Sequence, residues 1–445
     1  MNIIFHLIKG LLLLGLIIVN PAMATEQTEV TLEQVIKSGL QHYPALEVDR
    51  HKSDIAGLES KKAWQMYLPK VELTSSITSL DEAIELDPGS IELERVPIFT
   101  PEVDIPAVEI QDDQFFNAGI SIEQLLYTGG KVPNQARAAR EKEKALQYQT
   151  AASENELILD IAEAWDQLAL IDQMAKVLKQ ARERLDYQQE QAQKAYEEGL
   201  IPYYDITRIR TYRRELARQK AELEGRHKLV RSQLERLSGM SSQLFADVSP
   251  ELEPLPDAVF EERAGRAPEL NALEHATEAK RYLQRSERSG YAPDIFAFYS
   301  RELYQDDLTD LEPVRAIGIG LRWEIFNRGQ VLRRNQIARK EVDISLAEQE
   351  EAKEGLGLKR EQAEVNLEVA REKQEVARSM RDEAETSLDL AKRRYEKGLS
   401  DVLELLEAER EYQKAELKLT KAAFEQRRAA FNKKATLGIL KPENF

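Results

Sequence analysis

Five histidines, no cysteine and a surplus of carboxylates are the raw material from which this chain could build chemistry. His42, His51, His227 and His275 stand at spacings that form no metal-ligand set, and there is no H-E-x-x-H, G-x-S-x-G or phosphate-binding glycine loop. Each histidine reads as an ordinary surface or packing residue. Zero cysteine removes disulfides, thiolate metal sites, a cysteine nucleophile and an acylated N-terminal cysteine. No catalytic residue, cofactor site or metal ligand is predicted, and the chain is not read as an enzyme. The carboxylates are concentrated. Asp81, Glu82, Glu85, Asp87, Glu92, Glu94, Glu102, Asp104, Glu109, Asp112 and Asp113 face a single base, Arg95, and Glu302, Asp306, Asp307, Asp310 and Glu312 repeat the bias. Such loops are either solvated, binding divalent cations at most, or form a negative mouth that favours passing cations.

The elements that would position these groups follow from composition. With 79 acidic and 62 basic residues the net charge is −17, which argues against nucleic acid as the partner. A chain 42% apolar, 32% charged and only 7% aromatic favours long packed helices over large globular cores. One segment is long and apolar. Residues 3–19 carry Lys9 before Leu11-Leu12-Leu13-Leu14-Gly15-Leu16-Ile17-Ile18-Val19, and Ala22-Met23-Ala24 follows. This reads as a signal peptide, residues 1–24, cleaved after Ala24.

The rest is written twice. Sliding the sequence by 199 residues pairs Gly119-Ile120 with Gly318-Ile319, Gly130 with Gly329, Tyr196-Glu197-Glu198-Gly199-Leu200 with Tyr395-Glu396-Lys397-Gly398-Leu399, and Gly239 with Gly438. Upstream, a shift of 224 pairs Tyr43-Pro44-Ala45-Leu46 with Ala267-Pro268-Glu269-Leu270, and Leu68-Pro69 with Ala292-Pro293. The boundary falls near the proline-rich stretch 250–256, giving a first repeat at 25–253 and a second at 254–445. Each is expected to run helix, strand, loop, strand, long helix, turn, return helix.

Strands are expected where apolar residues alternate: Val71, Leu73 and Ile77; Ala118, Ile120 and Ile122; and, over 316–326, Ile317, Ile319, Leu321, Trp323 and Ile325. The strand at 294–304 alternates less cleanly. Soluble sandwiches and membrane barrels share this pattern. Trp64, Tyr67, Tyr127, Tyr291, Trp323 and Phe326 gather where strands meet helices, the place of an interfacial girdle. Four strands do not close a barrel, so a membrane reading requires several chains to share one.

Long helices are expected over 131–198 and 330–397, with an apolar stripe at three-four spacing: Leu157, Ile161, Ala164, Leu168, Ile171, Ala175, Leu178, Leu185, Ala192 and Tyr196, then Ala363, Leu367, Ala370, Ala377, Ala384, Leu388, Ala391 and Tyr395. Gly199 and Gly398 stop them as left-handed caps, with Leu200 and Leu399 supplying an apolar contact. Return helices over 203–237 and 401–436 come back antiparallel.

The signal peptide, the doubled strand-strand-long-helix-return-helix order and the paired Y-x-x-G-L tips, together with Pro44-Ala45-Leu46, Leu68-Pro69 and Gln124-Leu125-Leu126-Tyr127-Thr128-Gly129-Gly130-Lys131, resemble the TolC-like outer-membrane efflux protein family. The resemblance spans essentially the whole mature chain. It implies a mainly α fold in which antiparallel coiled-coil helices form a periplasmic α-barrel and four β-strands per chain build a twelve-stranded outer-membrane β-barrel in a homotrimer. It further implies a passive exit duct for small molecules, working with a periplasmic adaptor and an inner-membrane pump of resistance-nodulation-division or ABC type. Metal-cation efflux, type I protein secretion, a helical-hairpin adaptor and a structural coiled coil are the alternatives. In the family the tips face the adaptor, which here would be Gly199, Leu200, Gly398 and Leu399. Family members also narrow the tunnel with acidic residues six and nine places after the second tip glycine, which here are Glu404 and Glu407. Their lock joins a tip tyrosine to an aspartate, matched by Tyr395 and Asp205, while Ser400 stands where the family places a locking arginine.

Overall fold

A computed structural model describes residues 30–86, 108–246, 248–253, 266–304, 314–438 and 440. In chain order its elements are α1 (Leu32–His42), α2 (Pro44–Gln65), β1 (Lys70–Ser79), β2 (Ile84–Leu86), β3 (Val108–Gln111), β4 (Gln114–Thr128), α3 (Lys131–Glu197), α4 (Tyr203–Ser238), α5 (Pro268–Arg288), β5 (Asp294–Tyr304), β6 (Arg315–Arg322), α6 (Gln330–Glu396) and α7 (Val402–Thr436), with 3-10 turns at Ser242–Phe245 and Ser289–Tyr291. The expected signal peptide, the acidic residues Asp87, Glu92, Glu94, Glu102, Asp104, Asp306, Asp307, Asp310 and Glu312, and the repeat boundary after residue 253 lie at least partly outside the described residues.

Local chemistry fixes the element ends. Thr31 and Gln34 form a reciprocal capping box that starts α1. Pro44 and Pro268 occupy the first helical positions of α2 and α5, where the missing N–H costs nothing. Gly130 and Gly329 open α3 and α6 from left-handed backbone at φ +89° and +75°. The same 199-residue offset that aligns the two halves carries α3 onto α6 end to end, each 67 residues long. At about 1.5 Å per residue each spans roughly 100 Å.

The core is a helical seam rather than a globule. α3 lies against α2, α4, α5 and α7, while α6 packs on α7 and α5. Along α3 the stripe Leu157, Ile161, Ala164, Leu168, Leu185 and Ala192 is buried against Ile209, Leu216, Leu234 and Leu237 of α4. On α6 the buried stripe is narrower and alanine-rich (Ala363, Leu367, Ala370, Ala377, Leu388 and Ala391), as close helix approach demands. Tyr196 departs from the expected stripe. It sits exposed at the helix end, its ring 5.6 Å from that of Tyr203.

The two halves contribute to one antiparallel sheet in the order β1-β4-β5-β6, with β2 and β3 forming a separate hairpin between β1 and β4. β6 ends at Arg322, four residues before the expected limit. Its last partner is Asp294, which follows Pro293, and proline has no N–H with which to extend the ladder. Trp323, Ile325 and Phe326 therefore lie in the link to α6.

Candidate conduit wall, tips and gate

Register places Val71, Leu73, Ile77, Ile120, Ile122, Ile295, Ile317, Ile319 and Leu321 on one face, while Leu125, opposite Phe296, falls on the other. Val71 pairs with Ile122, Ile122 with Tyr299 and Tyr299 with Ile317; Leu73 pairs with Ile120, and Ile295 with Leu321. Paired residues share a face, so this is an apolar surface, interrupted by Arg301 and Arg315 beside Ile120 at the start of β6. Among the described residues nothing covers it: Leu73 is 69% exposed, Ile77 81% and Ile317 84%. A soluble sandwich would bury that face against a second layer. Here it is turned outward, as lipid requires. Among the described residues both sheet edges, β1 and β6, are also left without a neighbouring strand.

The opposite face carries Glu72, Thr74, Ser76, Asn117, Ser121 and Glu123, and it explains the irregular alternation of β5. Phe296 and Phe298 lie on this polar face, and their rings rest directly on Gly320 and Gly318, where a Cβ would collide with ring carbons. Arg322 covers the Phe296 ring at 5.0 Å. The glycines of β6 are thus receptacles for phenyl rings across the strand pair.

The aromatic residues expected at the junction are found there. Trp64 and Tyr67 follow one another at the end of α2, with centroids 6.2 Å apart. The Tyr67 hydroxyl lies 3.5 Å from Thr128 Oγ1 at the end of β4. Trp323 donates its Nε1–H to the Tyr291 carbonyl at 3.3 Å. Trp64, Tyr127, Tyr291, Trp323 and Phe326 are all exposed. Among the described residues no helix is long and apolar enough to cross a membrane.

The far ends of α3 and α6 close in identical turns. At the first, the Gly199 and Leu200 N–H groups donate to the Tyr196 and Ala195 carbonyls at 2.9 and 2.8 Å. At the second, Gly398 and Leu399 donate to Tyr395 and Arg394, both at 2.9 Å. This is the double bond pattern of a Schellman stop, and both glycines take the left-handed backbone it needs, at φ +74° and +69°. The leucines depart from expectation. Leu200 and Leu399 are 71% and 65% exposed, projecting from the turn instead of folding back on their helices. The first tip adds exposed Tyr203 and Tyr204, each bonded through its hydroxyl to Arg210 or Arg208.

Just behind the tips the structure sets Tyr395 near Asp205 and pairs Glu404 with an arginine that sequence reasoning missed. Tyr395 is half-buried. Burial pushes its phenol up, and the Asp205 carboxylate nearby pushes it further. Burial also raises Asp205, with Arg208 pulling it down and Asp401 pushing it up. Asp401 caps α7 by accepting the Glu404 N–H at 3.0 Å. The Glu404 carboxylate is held by Arg394, Nε to Oε1 at 2.8 Å, and the same guanidinium reaches the Leu399 carbonyl at 3.5 Å. A guanidinium is therefore present although Ser400 occupies the position expected for it. It comes from α6, beside the tip tyrosine. Glu407 lies apart, exposed on the next turn of α7.

Two buried ion pairs went unforeseen. Glu409 of α7 is 2% exposed and accepts from Arg184 Nε at 3.0 Å and Gln188 Nε2 at 2.9 Å, both on α3. One turn on, Gln413 accepts from the buried Tyr212 hydroxyl at 2.7 Å and donates to Gln219 at 2.9 Å. Midway along α3, Asp166 is gripped by Arg427 through two bonds of 2.7 and 3.0 Å, and Arg427 also donates to the Glu253 carbonyl at 2.7 Å. The signal was available: Val402, Leu405, Leu406, Glu409 and Gln413 keep one three-four stripe, so two polar residues stand on an apolar face. A lone charge in a highly charged helix nonetheless reads as solvated.

This architecture is shared by solved structures. The outer membrane protein VceC of Vibrio cholerae is 17% identical with a TM-score of 0.73, covering 92% of this chain and 96% of its own. The CmeC outer membrane channel of Campylobacter jejuni is 14% identical with a TM-score of 0.72, covering 92% and 86%. The open state of the MtrE outer membrane channel of Neisseria gonorrhoeae is 17% identical with a TM-score of 0.69, covering 92% and 88%. Among curated proteins none matches by sequence. The family profile described as "Outer membrane efflux protein" matches residues 35–240 and 259–438, most of the chain. With an uncovered apolar sheet at one end and a helical seam at the other, the chain belongs to the outer membrane efflux protein family and is a duct seated in the outer membrane.

Proposed function

We propose that three copies close one duct and that each chain is a passive exit path, carrying out no reaction of its own. The observation that carries this reading is the four-stranded sheet with an outward apolar face and two open edges. Lipid tolerates no open edge, so β1 of one copy must pair with β6 of the next, and three copies give twelve strands. The outward side of α6 supports the same assembly. Ile337, Ile344, Leu358, Val365, Val376 and Leu390 are exposed along it and need a neighbour. The two repeats, 25–253 and 254–445, then alternate around the wall as quasi-equivalent units. Trp64, Tyr67, Tyr127, Trp323 and Phe326 form the interfacial belt.

In this reading the helices continue the barrel as a periplasmic tunnel. The tips at Gly199-Leu200 and Gly398-Leu399 meet a periplasmic adaptor, and their projecting leucines provide its apolar contacts. Glu404, Glu407, Tyr395 and Asp205 line the constriction behind them. The cargo consists of small toxic compounds delivered by an inner-membrane pump. Fractionation tests the core of the proposal: the protein should sediment with outer membranes and run as a heat-labile trimer. A soluble monomer would overturn it.

A further inference from the structure

Away from wall, tips and gate, α3 and α4 part around a cavity of about 420 Å³, closed on one side by the stretch after the 3-10 turn that includes Ala246, Val248 and Ser249. Its lining divides by chemistry. Leu178 and Leu216, both nearly fully buried, contribute apolar surface. Lys176, Lys179 and Arg182 of α3 and Lys220 of α4 supply four cations. In a chain of net charge −17 such a concentration of positive charge runs against the whole.

These cations are poorly matched from within. Arg182 and Lys220 reach Asp186 and Glu224 on their own helices only at 3.6 and 3.4 Å. Neither Lys176 nor Lys179 closes an ion pair among the described residues. Asp172, the one carboxylate in the lining among the described residues, is turned to His227 at 3.5 Å and to Ser249, and it feels the charge of Lys176 without closing an ion pair to it. Ammonium groups around an apolar surface in a concave site are what an anionic head on an apolar body requires. The volume lies in the ~300–1,000 Å³ range of small-molecule pockets, and an α-helix, about 10–12 Å across with its side chains, is too wide for it.

We propose that this cavity binds a small amphiphilic anion, an apolar ring or short chain bearing one carboxylate, sulfonate or phosphate. The apolar body lies on Leu178 and Leu216, and the head is met by Lys176 and Lys179, with Lys220 approaching from α4. Lys179 stands 20 residues before Gly199 on the same helix, so the site is roughly 30 Å from the tip. Binding there is separate from passage through the duct and from contact with an adaptor.

The test uses the full-length protein in lipid nanodiscs and a matched pair of probes, 2-naphthoate and its neutral amide, followed by titration calorimetry. The carboxylate should bind saturably and about tenfold more tightly than the amide, the difference expected of one charge-assisted contact. The charge-reversed variant Lys176→Glu with Lys179→Glu should abolish that preference. Ala217→Phe, which fills the cavity without altering charge, should abolish binding of both probes. Equal affinity for acid and amide, an undiminished preference in the charge-reversed variant, or no saturable binding would overturn the proposal, the last including the case in which a second copy already fills the cavity. If the charge-reversed variant fails to assemble, the acid-to-amide ratio and Ala217→Phe decide alone.

Discussion

Arg184 of α3 and Glu409 of α7 meet across 3.0 Å in a position where Glu409 is almost completely buried, 15 residues before the first tip glycine and 11 after the second. The pair ties the return helix of one repeat to the long helix of the other. Tyr412 sits against the same guanidinium, whose carbon lies 5.0 Å from the ring centroid. Removing one partner of a buried pair leaves a charge with neither water nor counter-ion, a cost of about 3–5 kcal/mol. Arg184→Ala should therefore lower the melting temperature sharply. Arg184→Ala combined with Glu409→Gln should recover much of the loss, since no charge is then stranded. Thermal melts followed by circular dichroism check both; an additive double variant would show that the pair does not couple.

The pH dependence of the same contact has a definite sign. Burial raises the Glu409 carboxyl above its ordinary 4.5, outweighing Arg184, which pulls it down. The folded protein thus holds a proton there more tightly than the unfolded chain does. The stability this adds is complete below the ordinary value and is lost as pH rises through the raised one. Glu409→Gln removes the titration, so the fall in melting temperature as pH rises above the ordinary carboxylate value should flatten. An unchanged slope would place the titrating group elsewhere.

At the tips a side chain has room. A Cβ on Gly199 or Gly398 meets nothing within 4 Å, so substitution is opposed only by the left-handed backbone, at about 1–2 kcal/mol. Gly199→Asp and Gly398→Asp should leave the trimer in the outer membrane and abolish resistance to exported compounds. Drug susceptibility beside trimer yield separates these effects. Loss of the trimer would reduce the tip glycines to folding residues.

Behind the tips, Arg394 offsets one of the two carboxylates expected to set selectivity. Glu404→Gln with Glu407→Gln should lower cation selectivity and weaken block by trivalent cations. Arg394→Ala, by freeing Glu404, should raise selectivity. Tyr395→Phe, losing its hydroxyl beside Asp205, should raise conductance. Reversal potentials and single-channel currents in planar bilayers read all of these, and wild-type values throughout would move the constriction elsewhere.

In the sheet, Gly320→Val should reduce assembled trimer because the Phe296 ring already occupies the space above Gly320. Overpacking of this kind costs about 1–3 kcal/mol. Phe296→Ala in the same chain should restore assembly, and heat-stability of the trimer on gels measures both. A Gly320→Val trimer as stable as wild type would show the phenyl ring free to move aside.

The sequence alone determined the repeat, the four long helices to within a residue or two, and both tip turns. These features are local. A three-four apolar stripe buries one helix face wherever it is placed, and a glycine after Tyr-x-x stops a helix because only left-handed backbone satisfies its last carbonyls. Only the tertiary structure decided which face of the strands is outward, why Gly318 and Gly320 stand under phenylalanines, and which charges are buried. Arg184 meets Glu409 and Arg427 meets Asp166 across long stretches of sequence. Glu409 stands on the apolar stripe of its own helix, yet nothing in that helix names Arg184 as its partner. The partner of a buried charge is set by the surface that arrives from elsewhere in the chain, so no local pattern of residues encodes it.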